Sequence, residues 1–465
     1  MSTPTPRTGI SRRILLGGAL GVAGCANLPP PPRPPLRQLY APTPTSPEQP
    51  PLIVVPGTFG SRLRDLATDQ ILWPGSSMKL VFSHYDDLEI RIDPDSLEPL
   101  PSSVVPAGLF VEGMRRDFFG KLLHTLREAG GYRLRRPGEI PEPGERNFYI
   151  YDYDWRSDNV ASVNGLHELI ELIRGDYGNP HLQVDIVAHS AGGLVARYYA
   201  RYGTAPLPDE GLPQTWCEGP KRIRRLITLG TPNLGTIQPV LSHIRGEEIG
   251  LRKMQPDVVA SCVAVAQLMP HDDVAWLVEA SGRIGTASVF DVETWRHLRW
   301  SVFDPQIKQR AIARHGGGTA GRVHLETLQR YFAKCLVRGR AFTRALQIPL
   351  AECDVPPYVF GADCAQTLAR VVVEHIDDRA VAHERISSIV SPVPGVDYQA
   401  LMFQPGDMVV TRESLLGRCS PGGLAYCRVP SPMRNEYPVF LCEKHQSLTG
   451  NLSFQNNLLF VLLSA

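Results

Sequence analysis

The sequence carries almost no net charge: Lys and Arg total 48 against 47 Asp and Glu. Nothing in that balance drives phosphate-backbone binding, so nucleic acid is not expected as a partner. No Cys-x-x-Cys and no His-Glu-x-x-His occurs. A structural metal and a metallohydrolase centre are therefore not expected, and no motif calls for a cofactor. No internal repeat is evident. The N-terminal apolar run, Ile14 to Gly24, is about half the roughly 20 residues a membrane-spanning helix needs. What is present is ordinary globular material. With 465 residues, 43% hydrophobic and 20% charged, the chain is too apolar to be wholly disordered.

Residues 1–25 read as an export signal. Ser11-Arg12-Arg13 precedes the apolar run, and the paired arginines look like a twin-arginine address. The run ends in Val22-Ala23-Gly24-Cys25, which resembles the lipobox of bacterial lipoproteins. That resemblance implies acylation of Cys25 and cleavage just before it, with the acyl chains attaching the protein to a membrane surface. The expected location is extracytoplasmic, on the periplasmic side of a membrane. Ala26 directly after Cys25 gives no inner-membrane retention cue of the Asp type, which leaves an outer-membrane destination open. Residues 26–51 are rich in proline, which fixes φ and lacks an N–H, so they read as an extended linker. Of the 9 cysteines, those beyond Cys25 are even in number, compatible with disulfides in an oxidising compartment. Their pairing cannot be deduced from spacing, and free thiols are not excluded.

The body reads as an α/β fold, a mostly parallel sheet flanked by helices with an inserted cap. Leu52–Val55, Phe148–Tyr151, Val184–Ala188 and Arg225–Leu229 are short, apolar and bounded by turn residues, as buried parallel strands are. Helical patterns at Val163–Arg174 and Leu194–Tyr202 alternate with them. From about 236 to 395 the strand rhythm fades, and this stretch is read as the cap, with Val258–Met269 helical. Strand signals return at Tyr398–Phe403 and Pro438–Leu441. The core is thus expected in two parts, 52–235 and 396–465.

His189-Ser190-Ala191-Gly192-Gly193 lies between a buried strand and a helix, the context of a nucleophile elbow, where small neighbours let the two backbones approach. A serine needs a base to take its proton and an anion to orient that base. In this fold the acid and then the histidine follow the serine in the chain. Asp407, in Gly406-Asp407-Met408, follows the first late strand signal, and His445 follows the second; Asp397 and Glu413 are fallback acids. His189 is read as orienting the elbow rather than as the base. An oxyanion would need two backbone donors. Ala191 at the helix start is one; the other comes from the loop Pro56-Gly57-Thr58-Phe59-Gly60-Ser61, with Thr58 first and Phe59 second.

Together, Val55-Pro56-Gly57-Thr58-Phe59-Gly60-Ser61, Tyr153-Asp154-Trp155-Arg156, Ala188-His189-Ser190-Ala191-Gly192-Gly193, Gly230-Thr231-Pro232-Asn233-Leu234-Gly235, Gly406-Asp407 and His445 occur in the order found in lecithin–cholesterol acyltransferase-like proteins. That family includes lysosomal phospholipase A2 and phospholipid:diacylglycerol acyltransferases. The resemblance spans roughly residues 52–450. It implies an α/β-hydrolase fold, a Ser190–Asp407–His445 triad and an acyl-ester substrate, often a lipid. Asp154-Trp155-Arg156 matches a signature beside the family's site, and a paired Asp and Arg with a packed Trp is the reading preferred here. The segment at Leu72-Trp73-Pro74-Gly75 lacks the cysteines that close the family's membrane-binding loop.

The expected activity is a serine-dependent lipid esterase, lipase or O-acyltransferase working through an acyl-enzyme. The alternatives are hydrolysis of non-lipid esters, thioesters or amides on the same scaffold, or an inactive ligand-binding lipoprotein.

Overall fold

The computed structural model describes residues 49–113, 116–349, 351–418 and 438–464. The export signal, Cys25 and nearly all of the Pro-rich linker lie outside them, as do Cys419 and Cys427. Among the described residues, no helix is long and apolar enough to cross a membrane.

Seven strands form the central sheet: β1 (Leu52–Val55), β2 (Tyr132–Leu134), β3 (Arg146–Ile150), β4 (Val184–His189), β5 (Ile223–Leu229), β6 (Pro357–Ala362) and β7 (Val439–Leu441). Their spatial order is β7-β6-β5-β4-β1-β3-β2, and every neighbouring pair is parallel. The side-chain alternation of β1 explains why its four residues are all apolar. Ile53 and Val55 face one core with Leu166 and Ile170 of α2 (Asn159–Asp176) and Leu194 and Tyr198 of α3 (Ala191–Tyr202). Leu52 and Val54 face the other core, with Leu122 and Leu126 of α1 (Gly120–Glu128) and residues of the C-terminal helix Leu452–Leu463. All four are buried, and each such side chain contributes about 2 kcal/mol of hydrophobic stabilisation. This is an α/β architecture of the α/β-hydrolase type. The chain enters at β1, runs out to the edge strand β2, returns to β3 between them, then crosses to β4 on the other side of β1. Loops leaving β1 and β4 therefore part, opening a crevice at the strands' carboxyl ends.

Three expectations are corrected. Tyr398–Phe403 is not a strand. Tyr398–Met402 is a helix whose N-cap, Asp397, accepts a hydrogen bond from Ala400 N–H at 3.0 Å. Tyr398 and Met402, four residues apart, bury one helical face, and the strand is Phe403–Gly406, which pairs with Ala365–Leu368 outside the central sheet. The stretch read as the cap contains β6, which sits between β5 and β7. The chain thus returns to the sheet at Pro357, well before residue 396, through a short strand that opens on Pro and closes on Gly-Ala. Val258–Met269 is not one helix but holds parts of two single turns, Pro256–Val259 and Val263–Ala266, whose residues are all buried, Asp257 among them. The rest of the 236–395 stretch holds a separate core of Trp276, Trp295, Trp300 and Phe332, spanned by α4 (Pro305–Arg314) and α5 (Gly318–Gln347).

Disulfides join Cys217 to Cys353 and Cys364 to Cys442. Cys262 and Cys335 are buried thiols.

Candidate active site

Ser190 stands between β4 and α3 at φ 53° and ψ −127°, a left-handed region that side-chain-bearing residues rarely occupy. Such a turn lifts the hydroxyl clear of the sheet edge. The neighbouring glycines are required by contact. A Cβ on Gly192 would lie 2.3 Å from Pro56 O, and one on Gly193 would lie 1.9 Å from Thr231 Oγ1. The loop after β1 rests directly on the serine, since a Cβ on Gly57 would meet Ser190 Cβ at 2.6 Å.

Asp407 and His445 reach this point from distant segments. Asp407 is fully buried at the end of strand Phe403–Gly406. Its Oδ1 accepts hydrogen bonds from Val409 N–H at 3.0 Å and Val410 N–H at 2.7 Å. Its Oδ2 lies 2.7 Å from Nδ1 of His445, and its carbonyl accepts from His445 N–H at 2.9 Å. Nε2 of His445 lies 3.0 Å from Ser190 Oγ. With a carboxylate on Nδ1, the imidazole carries its proton there and turns an unprotonated Nε2 to the hydroxyl. An imidazole so placed can take the serine proton and return it. Of the fallback acids, Asp397 caps a helix and Glu413 accepts a hydrogen bond from Gln404 at 3.2 Å.

His189 stacks at a tilt on His445, ring centroids 5.0 Å apart, and its Nε2 is 3.3 Å from His445 O. Burial, followed by repulsion from His445, lowers its pKa to about 3. It packs beside His445.

Ala191 opens α3, so its amide lies outside the helical ladder and at the positive end of the helix dipole. In the loop over Ser190, Gly60 N–H bonds to Gly57 O at 2.9 Å, a turn closure that does not use the Thr58 and Phe59 amides. Phe59 takes φ 64°. Its carbonyl accepts from Trp73 Nε1 at 2.8 Å, and its ring packs 4.9 Å from Trp73 and 4.4 Å from Trp155. Trp155 donates to Ser61 O at 3.2 Å, while Arg156 makes a two-point pair with Asp154 at 2.9 and 2.7 Å. The Asp-Trp-Arg segment thus buttresses the loop and does not touch Ser190's hydrogen-bond chain.

A cavity of about 250 Å³ opens over Ser190. Phe59, Phe110, Phe118, Ile249, Met254 and Leu268 give it apolar walls, and His445 lies at its edge. Glu247 also lines it, receiving a hydrogen bond from Ser242 at 2.5 Å; burial raises its pKa.

Sequence reasoning did not foresee how Asp407 is braced. Asn233 N–H donates to Ser414 O at 3.0 Å, its side chain donates to Leu415 O at 2.7 Å, and Ser414 Oγ donates to Gly235 O at 2.7 Å. Gly230-Thr231-Pro232-Asn233-Leu234-Gly235 is therefore a clamp between the elbow and the Asp407 loop. Its Asn is 1% exposed, a burial that the sequence alone does not disclose.

A family model described as lecithin:cholesterol acyltransferase matches residues 144–297, the stretch from β3 through the elbow into the cap. No curated protein matches. Among solved structures, the chain is similar to one titled the crystal structure of the Tle4-Tli4 complex, at 14% identity, covering 89% of this chain and 98% of that one with TM-score 0.49. It is also similar to Bacillus licheniformis lipase BlEst2 in mature form, at 12% identity, covering 90% and 94% with TM-score 0.34. The sheet topology and the family match together define an α/β-hydrolase-type fold similar to the lecithin:cholesterol acyltransferase family. That match supports an enzyme of the hydrolase or acyltransferase type.

Proposed function

We propose that the protein is a serine-dependent lipid esterase, lipase or O-acyltransferase that works through an acyl-enzyme. The observation that carries this reading is the continuous hydrogen-bonded chain from Asp407 through His445 to Ser190, ending at the floor of an apolar cavity. His445 takes the Ser190 proton as Oγ attacks an ester carbonyl. The amides of Ala191 and Thr58 hold the oxyanion, each worth about 3 kcal/mol. The alcohol leaves with the proton from His445, and water or a second alcohol then accepts the acyl group. Apolar walls favour a lipid-like acyl chain over a polar acid.

Acylated Cys25 and the linker would hold this body at a membrane surface after export, and the two disulfides fit an oxidising compartment.

The test compares the wild type with Ser190→Ala on p-nitrophenyl esters and with a fluorophosphonate probe. Turnover should fall by ~10⁴-fold or more, and covalent labelling should vanish. A wild type that neither turns over esters nor labels would favour the inactive ligand-binding lipoprotein. Mass analysis of products from mixed phospholipids and an added alcohol separates lipid esters from other substrates, and hydrolysis from transfer.

A further inference from the structure

Away from Ser190, three chain segments bring two imidazoles and a carboxylate to one point. Glu89 follows the turn Asp86–Leu88, His315 ends α4, and His324 lies in the second turn of α5. Gly316, Gly317 and Gly318 between the helices all have positive φ, at 86°, 65° and 50°. That reversal lays the rings of His315 and His324 in a near-parallel stack, centroids 3.3 Å apart and planes 12° apart. Nε2 of His315 is 3.1 Å from Glu89 Oε2, and Nε2 of His324 is 3.1 Å from Glu89 Oε1. The three potential ligand atoms all lie within 4.8 Å of one another.

Two details distinguish this cluster from an ordinary hydrogen-bonded one. The Glu89 side chain is 6% exposed, and its Oε1 and the buried Nε2 of His324 meet only each other, 3.1 Å apart in a poorly aligned pair. A buried pair held in poor alignment is a weakly satisfied one, and an ion standing between the two atoms would satisfy both. Glu89 Oε2 is also held by Arg314 at 2.5 Å, and Arg314 in turn lies 3.2 Å from buried Asp257. The carboxylate is thus oriented from behind by a second layer of charge.

We propose that Glu89, His315 and His324 form a site for a divalent transition-metal ion, with Zn²⁺ the best match. Two neutral imidazoles and one carboxylate are a donor set Zn²⁺ takes, with a further position for water; Mg²⁺ and Ca²⁺ prefer oxygen ligands throughout. This donor set fits neither Cys-x-x-Cys nor His-Glu-x-x-His, since Glu89 and His315 stand 226 positions apart. The ion would clip the α4–α5 turn to the early loop of the core. Leu88 O, beside the site, accepts a hydrogen bond from Arg156 Nη1 at 3.1 Å. Arg156 follows Trp155, which packs on Phe59. The clip therefore bears on the support of the loop over Ser190 without lining the cavity.

The experiment uses the full chain, stripped with a chelator, desalted and returned to ZnCl₂ or CoCl₂. Expected results are about one bound Zn²⁺ per chain by mass spectrometry of the metal, a visible absorption band with Co²⁺, and a Tm raised by a few degrees in excess Zn²⁺. His324→Gln and Glu89→Gln should each lose the Co²⁺ band and the Tm rise while keeping the wild-type circular dichroism. A wild type that holds no more Zn²⁺ than these variants, shows no Co²⁺ band and gains no Tm overturns the proposal. Because the wild-type band and metal content stand alone, a variant that misfolds does not rescue or sink it.

Discussion

Ser190 and His445 meet across 3.0 Å, but they are held there by unlike means. The serine is set by its own turn, with a left-handed conformation and two flanking glycines that let adjacent strand ends of the central sheet press close, and its N–H donates to Leu229 O at 2.8 Å. Asp407 and His445 are fixed by segments from elsewhere. Strand Phe403–Gly406, which delivers Asp407, pairs with Ala365–Leu368. Cys364, just before that partner strand, is bonded to Cys442, three residues before His445. One half of the site is a local conformational device, and the other is a junction.

The largest expected effect breaks the junction at its charge. Asp407→Asn keeps an acceptor for the Val409 and Val410 amides but turns an N–H donor to Nδ1 of His445. The imidazole must then carry its proton on Nε2, facing Ser190 the wrong way. Ester turnover should drop by about 10⁴-fold in kcat with little change in Tm. A loss of tenfold or less would mean that another group orients the base.

Next, the Cys364→Ser, Cys442→Ser pair should cost about 2–4 kcal/mol in denaturant unfolding. Hydrogen exchange should quicken around residues 403–410 and 438–446 and stay unchanged at the β4–α3 turn. Equal acceleration at both places would erase the contrast between the two halves.

The smallest effect probes the local half. Gly193→Ala drives a methyl into Thr231, at a cost of about 1–3 kcal/mol in stability. Adding Thr231→Ala should recover most of that loss, a coupling visible in a double-mutant cycle. Two independent, additive losses would show that the elbow is not held by this contact.

The same contrast decides what was legible in the sequence. The elbow was readable because strand, serine, glycines and helix are contiguous, and each obeys a local rule. Asp407 and His445 could be named from chain order and scarcity. Their supports could not, because Asn233, Ser414 and Cys364 act across long separations, as does Thr367, whose Oγ1 accepts a hydrogen bond from Met408 N–H at 2.9 Å. The helix at Tyr398–Met402 was misread because its apolar spacing is too short to separate a period of 2 from one of 3.6. Strand β6 was missed because three apolar residues framed by Pro, Gly and Ala give little periodic signal, although they complete the sheet between β5 and β7.

The two cystine links also carry a consequence for how the chain closes. One spans 136 residues and the other 78, and the second begins after the first has ended. They sit end to end without interlocking, so neither ring must be opened to thread the other. Cys353 and Cys364, near neighbours along the polymer, each ignore the other for a distant mate. During synthesis from the N-terminus, the segment bearing Ser190 emerges early, whereas the imidazole of His445 is tethered only once Cys442, near the end of the polypeptide, is available.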